Sequence, residues 1–160
     1  MLKAWRIIKK RYVDHAFDGE GSRLYGSRWT SPGTRVAFAS ASLSLAILEV
    51  LVHLKDNDTL KSYFQFILDF SEDLVANFDQ KDLPASWRHY PAPVELQSTG
   101  DKWARDGSSV ILRVPSVLIP HESNFLINPS HRDFSRLKIS RPSSLDIDPR
   151  LLKDSPAALR

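Results

Sequence analysis

Between Leu45 and Val52 the only charged residue is Glu49, set in a run of apolar side chains. Stepped at helical spacing, Ser42, Ala46, Glu49, His53 and Asp56 fall on one stripe. Leu43, Leu45, Ile47, Leu48, Val50, Leu51, Val52 and Leu54 cover the rest of the surface. Such a stripe faces either water or a cleft, and spacing alone leaves both open. A lone carboxylate in a mostly apolar helix is a candidate for chemistry that needs a fixed negative charge. The opposite charge lies upstream, in RLYGSRWTSPGTRVAF, residues 23–38. Arg23 and Arg28 carry planar donor forks that suit phosphate or carboxylate, and Tyr25 and Trp29 offer ring faces for a heteroaromatic ligand. Arg35, entering a strand, reads as an exposed positioner. Each of these also has a structural reading: a salt bridge, a core ring, a corner filler. Together they point to a site that grips a small phosphate-bearing ligand.

These residues need a scaffold, and 160 residues allow one ordinary domain. Hydrophobic residues at 42% and charged ones at 26% place the chain among globular proteins, with no apolar run long enough to span a membrane. The N-terminus MLKAWRIIKKRY is broken by charge before a signal core can form, so a cytoplasmic location is expected. The absence of cysteine removes disulfides and thiolate metal sites. His15, His53, His89, His121 and His131 show no i, i+3 or i, i+4 pairing, so no structural metal is expected. The formal charge of +3 favours anionic partners only weakly.

Residues 3–8 and 34–40 read as strands, the second entered through the turn Ser31-Pro32-Gly33. Residues 40–54 read as a helix capped by Ser40 or Ser42 and ended by Lys55-Asp56-Asn57-Asp58. A core strand is expected at 62–70, then turns around a short helical piece at EDLVANF, then a helix over 93–106 in which Gly100 costs about 1 kcal/mol relative to alanine. Strands follow at 108–120, bent at Pro115, at 123–128 and at 136–140. The tail from 142 to 160, with Pro142, Pro149 and Pro156, is expected to fray or drape over the surface. This mixed order predicts an α+β domain over 1–141 with a largely antiparallel sheet, or two small sheets, and flanking helices. Neither a Gly-rich dinucleotide fingerprint nor a P-loop is present, so side chains would have to hold a phosphate.

Two long blocks, GEGSRLYGSRWTSPGTRVAFASASLSLAILEVLVHL (19–54) and LQSTGDKWARDGSSVILRVPSVLIPHESNFLINPSHRDF (96–134), resemble the RES domain, the toxin component of bacterial toxin–antitoxin pairs. The resemblance implies a fold similar to the diphtheria-toxin-like ADP-ribosyltransferases and an activity that cleaves NAD at its nicotinamide–ribose bond, by hydrolysis or phosphorolysis. Transfer of ADP-ribose to a protein is the alternative. NAD would be the substrate, no resident cofactor is expected, and inorganic phosphate is a possible acceptor. It also implies a cognate antitoxin carrying a helix-turn-helix domain. Residues carried over as catalytic are Arg28, Glu49 and Ser116; Arg23, Tyr25, Trp29 and Phe38 are the expected substrate-binding set. This sequence departs from the family pattern at Phe38, where a tyrosine is usual, at Ser27, where glycine is common, and at Thr30, where asparagine is common.

The chemistry agrees with that implication. The nicotinamide of NAD leaves without a general acid because its ring is already positive, and an oxocarbenium-like ribose remains. A carboxylate such as Glu49 would stabilise it, at about 2.7–4 kcal/mol for a fixed group aimed at developing charge. Arg28, supported by Arg23, would bind the pyrophosphate, and Ser116 would bond the nicotinamide amide or the ribose. Two readings compete. One is a nucleic-acid-directed toxin using Lys9, Lys10, Arg11 and the loop arginines, disfavoured by the small net charge and the absence of a recognition helix or zinc-finger pattern. The other is an interaction domain whose arginine-lined cleft accepts an acidic peptide.

Overall fold

The structure is a computed structural model that describes residues 1–54 and 62–151. The helix-ending signal at 55–58 and the stripe residue Asp56 therefore lie outside the described residues.

Strand β1 (Leu2–Lys9) leads into a 3-10 turn at Lys10–His15 and a short helix α1 (Glu20–Tyr25). After the arginine loop come β2 (Ala37–Ser40), α2 (Leu43–Leu51) and β3 (Tyr63–Phe70). A short β4 (Val75–Asn77), the helix α3 (Val94–Asp106), β5 (Ile111–Pro115) and β6 (Ser123–Ile127) follow. Two-residue strands β7 (Lys138–Ile139) and β8 (Ser143–Ser144) complete the set. The strands form one sheet in the order β4-β5-β6-β2-β1-β3-β7, with β8 also on β3. Among the described residues only β4 and β5 run parallel, so the expected α+β class with a largely antiparallel sheet is what the structure has.

The expectation of two small sheets is corrected to one sheet with a narrow joint. β1 and β3 pair along their whole length, from Leu2↔Phe70 to Lys9↔Tyr63, whereas β1 meets β2 only at Trp5↔Ser40. On the other side of that joint, β2 pairs β6 from Ala37↔Ile127 to Ser40↔Asn124, and β6 pairs β5.

Side chains alternate across a strand, and the buried clusters follow that period. Ala37, Ala39, Ile111, Phe125 and Ile127 face one core with Leu68 and Phe70. Leu112, Val114 and Leu126 face a second, with Trp29, Val36, Leu96 and Trp103. A smaller cluster packs Ile47, Val50 and Leu51 of α2 against Ile7 of β1, Tyr63 of β3 and Leu145.

Three local expectations differ from the structure. EDLVANF is a 3-10 turn (Glu72–Leu74) followed by β4, because Val75 and Ala76 pair with the hydrophobic Ile111 and Leu112. The strand at 108–120 ends at Pro115, where proline cannot donate onward. The tail beyond Arg141 is held over its first residues: Ser143 and Ser144 pair with β3, and the buried Leu145 donates its N–H to Tyr63 O at 3.1 Å.

Gly100 also has a packing reason. A Cβ at that position would lie 1.8 Å from Trp29 O, so the helix carries glycine where the arginine loop crosses it.

Candidate active site

Helix α2 opens with Ser42, whose side chain accepts the Leu45 N–H at 3.1 Å. That cap aims the first turns so that Leu45 and Ala46 are buried, while Ser44, Leu48 and Val52 face solvent. Glu49 is therefore partly buried, while His53, one turn further along the polar stripe, is exposed. Its Oε1 accepts two hydrogen bonds, from Ser116 Oγ at 2.9 Å and from Asn124 Nδ2 at 2.6 Å. Ser116 follows directly on β5 and is fully buried. Its Oγ accepts from the N–H groups of Leu118 (3.1 Å) and Ile119 (3.2 Å), which occupy both lone pairs and leave its single proton for Glu49. Asn124 in turn accepts at Oδ1 from Ser40 Oγ, at 2.8 Å. Among the described residues no hydrogen bond reaches the second carboxylate oxygen of Glu49.

Arg28 stands on the loop between α1 and β2. Its Nη1 donates to the carbonyls of Trp87 (2.9 Å) and His89 (2.8 Å). Those two bonds orient the guanidinium, while Nε and Nη2 have no hydrogen-bond partner among the described residues. Partial burial lowers the pKa of Arg28, and the charge of the Glu49 carboxylate works against that shift. In the strap over residues 84–90, Arg28 holds the carbonyls on either side of Arg88, and Arg88 Nε donates to Val117 O at 3.1 Å, next to Ser116.

The loop is fixed to α3. Asp101 Oδ1 accepts from Ser31 N–H (3.0 Å) and Thr34 Oγ1 (2.7 Å), its Oδ2 accepts from Ser31 Oγ (2.5 Å), and Gln97 Nε2 donates to Ser27 O at 2.9 Å. Within the loop, Ser27 Oγ accepts the N–H groups of Trp29 and Thr30, and a hydroxyl chain runs from Ser22 through Thr30 Oγ1 to Ser27.

Of the remaining expected binding residues, Arg23, Tyr25 and Trp29 make no contact with Glu49, Ser116 or Asn124 among the described residues. Arg23 is committed to Glu20, which also binds Arg35 at 2.7 Å, and this double pairing holds the Glu20 carboxyl down to about 2. Trp29, only 4% exposed, packs edge-on to Phe78 in the core, so its ring fills space instead of offering a ligand face. Tyr25 is 83% exposed at the end of α1 and meets the solvent. Phe38 is partly buried against the Trp29 cluster. Its carbonyl accepts from Arg6 Nη1 at 2.7 Å, and burial lowers the pKa of Arg6 to about 10. No cluster of His, Cys, Asp and Glu among the described residues could hold a metal ion.

The family model of the RES domain matches residues 3–148. The chain belongs to the RES domain family. A protein named Toxin Res from Yersinia enterocolitica is 37% identical over 151 residues, covering 94% of this chain and 99% of the relative. Prs ADP-ribosylating toxin from Sphingobium is 30% identical, covering 93% and 96%. Among solved structures, the toxin–antitoxin complex MbcT–MbcA of M. tuberculosis matches with a TM-score of 0.72 at 16% identity, over 90% of this chain and 84% of the other. At that identity the match speaks for a shared fold.

Of the three residues expected to be catalytic, Ser116 and Glu49 are bonded directly, and Arg28 holds the carbonyls flanking Arg88, which itself bonds Val117 O next to Ser116. The departures at Ser27 and Thr30 bond to each other at 2.7 Å and stiffen the arginine loop internally. Asn124 escaped the sequence reading. The available signal was its parity: it shares a strand face with Leu126, a core residue, so an amide there points inward.

Proposed function

We propose that this chain is the toxin of a toxin–antitoxin pair and that it depletes NAD by cleaving the nicotinamide–ribose bond. The observation that carries the reading is the Glu49 carboxylate, held on one oxygen by two donors, with its other oxygen unengaged among the described residues and the Arg28 guanidinium in its field. The Nε and Nη2 edge of Arg28 binds the pyrophosphate. The sugar then lies at Glu49, whose second oxygen accepts from a ribose hydroxyl and stabilises the cation that forms at C1′. Nicotinamide departs with the bonding electron pair, which neutralises its ring. Water then adds to C1′ and releases a proton, or inorganic phosphate adds in its place.

The name of the Sphingobium relative, an ADP-ribosylating toxin, favours a second reading in which a protein side chain is the acceptor. Both readings share the substrate and the carboxylate. An antitoxin with a helix-turn-helix domain is the proposed partner, supported by the toxin–antitoxin complex among the solved structures of this fold. The proposed location is the bacterial cytoplasm; no helix among the described residues is long and apolar enough to cross a membrane.

The test is to incubate purified protein with NAD, with and without phosphate, and to follow nicotinamide release while mass spectrometry identifies the sugar product. Glu49→Gln and Arg28→Ala are each expected to slow release by roughly tenfold or more. A folded wild-type protein that releases no nicotinamide overturns the reading.

A further inference from the structure

The RES triad accounts for only one of the two donors on Glu49. We infer that Asn124, oriented by Ser40, is a positioning residue that fixes the reactive direction of the Glu49 carboxylate. Asn124 and Ser40 are direct cross-strand partners on β6 and β2, so their side chains leave the sheet on the same face. Glu49 comes down on that face from α2. A carboxylate only accepts hydrogen bonds, so the amide must turn Nδ2 towards Glu49 and Oδ1 towards Ser40. The observed contacts, 2.6 Å and 2.8 Å, fit that one orientation. The network is thus directional from end to end: Ser40 donates to Asn124, and Asn124 donates to Glu49. It meets the second line, from Leu118 and Ile119 through Ser116, on the same oxygen.

Two donors converging on Oε1 from different strands remove the freedom of the carboxylate to rotate and exchange its oxygens. Oε2 is then left in a constant place. Ser116 alone would define a point of attachment, and Asn124 adds the second point that defines the plane. This role rests on the NAD-cleaving reading for its substrate, but the contact with Glu49 does not.

The first experiment uses no substrate. Asn124→Asp keeps shape and replaces the donor with a second carboxylate facing Glu49, so it is expected to lower Tm at pH 7 clearly. In the Glu49→Gln background the same change no longer sets two carboxylates against each other, and part of the Tm loss is expected to be recovered. Equal losses in both backgrounds overturn the Asn124–Glu49 contact.

The second experiment is kinetic. Asn124→Ala is expected to lower kcat for nicotinamide release at least tenfold with KM within threefold, and Asn124→Asp to lower it further despite being nearer in shape. A mere packing role orders the two variants the other way. In Glu49→Gln, Asn124→Ala is expected to add no further loss of activity. If the wild type arrests bacterial growth on induced expression yet releases no nicotinamide, the NAD reading fails and the same ordering is read in growth arrest. Arrest by Asn124→Asp as strong as by wild type overturns the positioning role.

Discussion

Ser116 and Glu49 are bonded to each other, yet losing them has different consequences. Glu49→Gln keeps the volume and can still accept at its amide oxygen, so the fold is expected to survive while nicotinamide release drops. Ser116→Ala leaves the N–H groups of Leu118 and Ile119 without their acceptor, in a turn where Ser116 is fully buried and those two residues are partly buried. Each unsatisfied buried group costs about 1–3 kcal/mol. Urea unfolding is therefore expected to separate the two variants: a midpoint close to wild type for Glu49→Gln and a distinctly lower one for Ser116→Ala. Arg28 is poised differently again. Its anchor is two backbone carbonyls, which a residue of any type in the strap can supply, so sequence patterns at 84–90 carry no sign of it. Glu49 was legible because one charge in an apolar helix stands out. Asn124 was not, because its importance depends on strand parity and on which helix covers that face. Trp29 was misread as a ligand platform because an aromatic beside an arginine looks the same in sequence whether it lines a cleft or fills a core.

At the level of elements, α3 acts as the bench on which the arginine loop is mounted. Gln97, Gly100 and Asp101 occupy successive positions against Ser27, Trp29 and Ser31. Gly100→Ala gains about 1 kcal/mol of helix propensity, but its methyl would sit 1.8 Å from Trp29 O, backbone that cannot rotate away. A net loss of stability is expected, measurable as a lower Tm, together with weaker NAD binding as the loop is pushed off. The α1 end of the loop carries the pH dependence. The Glu20 carboxyl is lowered from 4.5 to about 2, first by the hydrogen bond from Arg23. A depressed carboxyl contributes stability that is complete above its unfolded value and fades as pH falls through its folded one. Wild-type Tm is accordingly expected to fall more steeply between pH 4.5 and 2 than that of Glu20→Gln. The helices and the long strands were readable from periodicity. β4 and β8 were not: three residues and two residues are too short to show a period, and their pairing is decided by the strand beside them.

Across the molecule, the sheet is two well-paired halves joined at Trp5↔Ser40. Hydrogen exchange is expected to show this unevenness, with amides of the β1–β3 ladder protected far longer than those at the joint. Removing residues from 142 onwards is expected to lower Tm, since it strips β8 from β3 and uncovers the cluster that Leu145 shares with α2. A membership that spans 3–148 is consistent with that cluster being part of the domain.

Ser40 holds this joint with its main chain while its hydroxyl steadies Asn124. One residue therefore serves both as a rivet between the halves and as the first member of the line that ends on the reactive carboxylate. Loosening of the rivet is expected to abolish the proposed NAD cleavage before any core is lost. In a urea titration, catalysis is expected to vanish at a lower concentration than tryptophan fluorescence or circular dichroism begins to change, leaving a window in which the protein is folded and harmless.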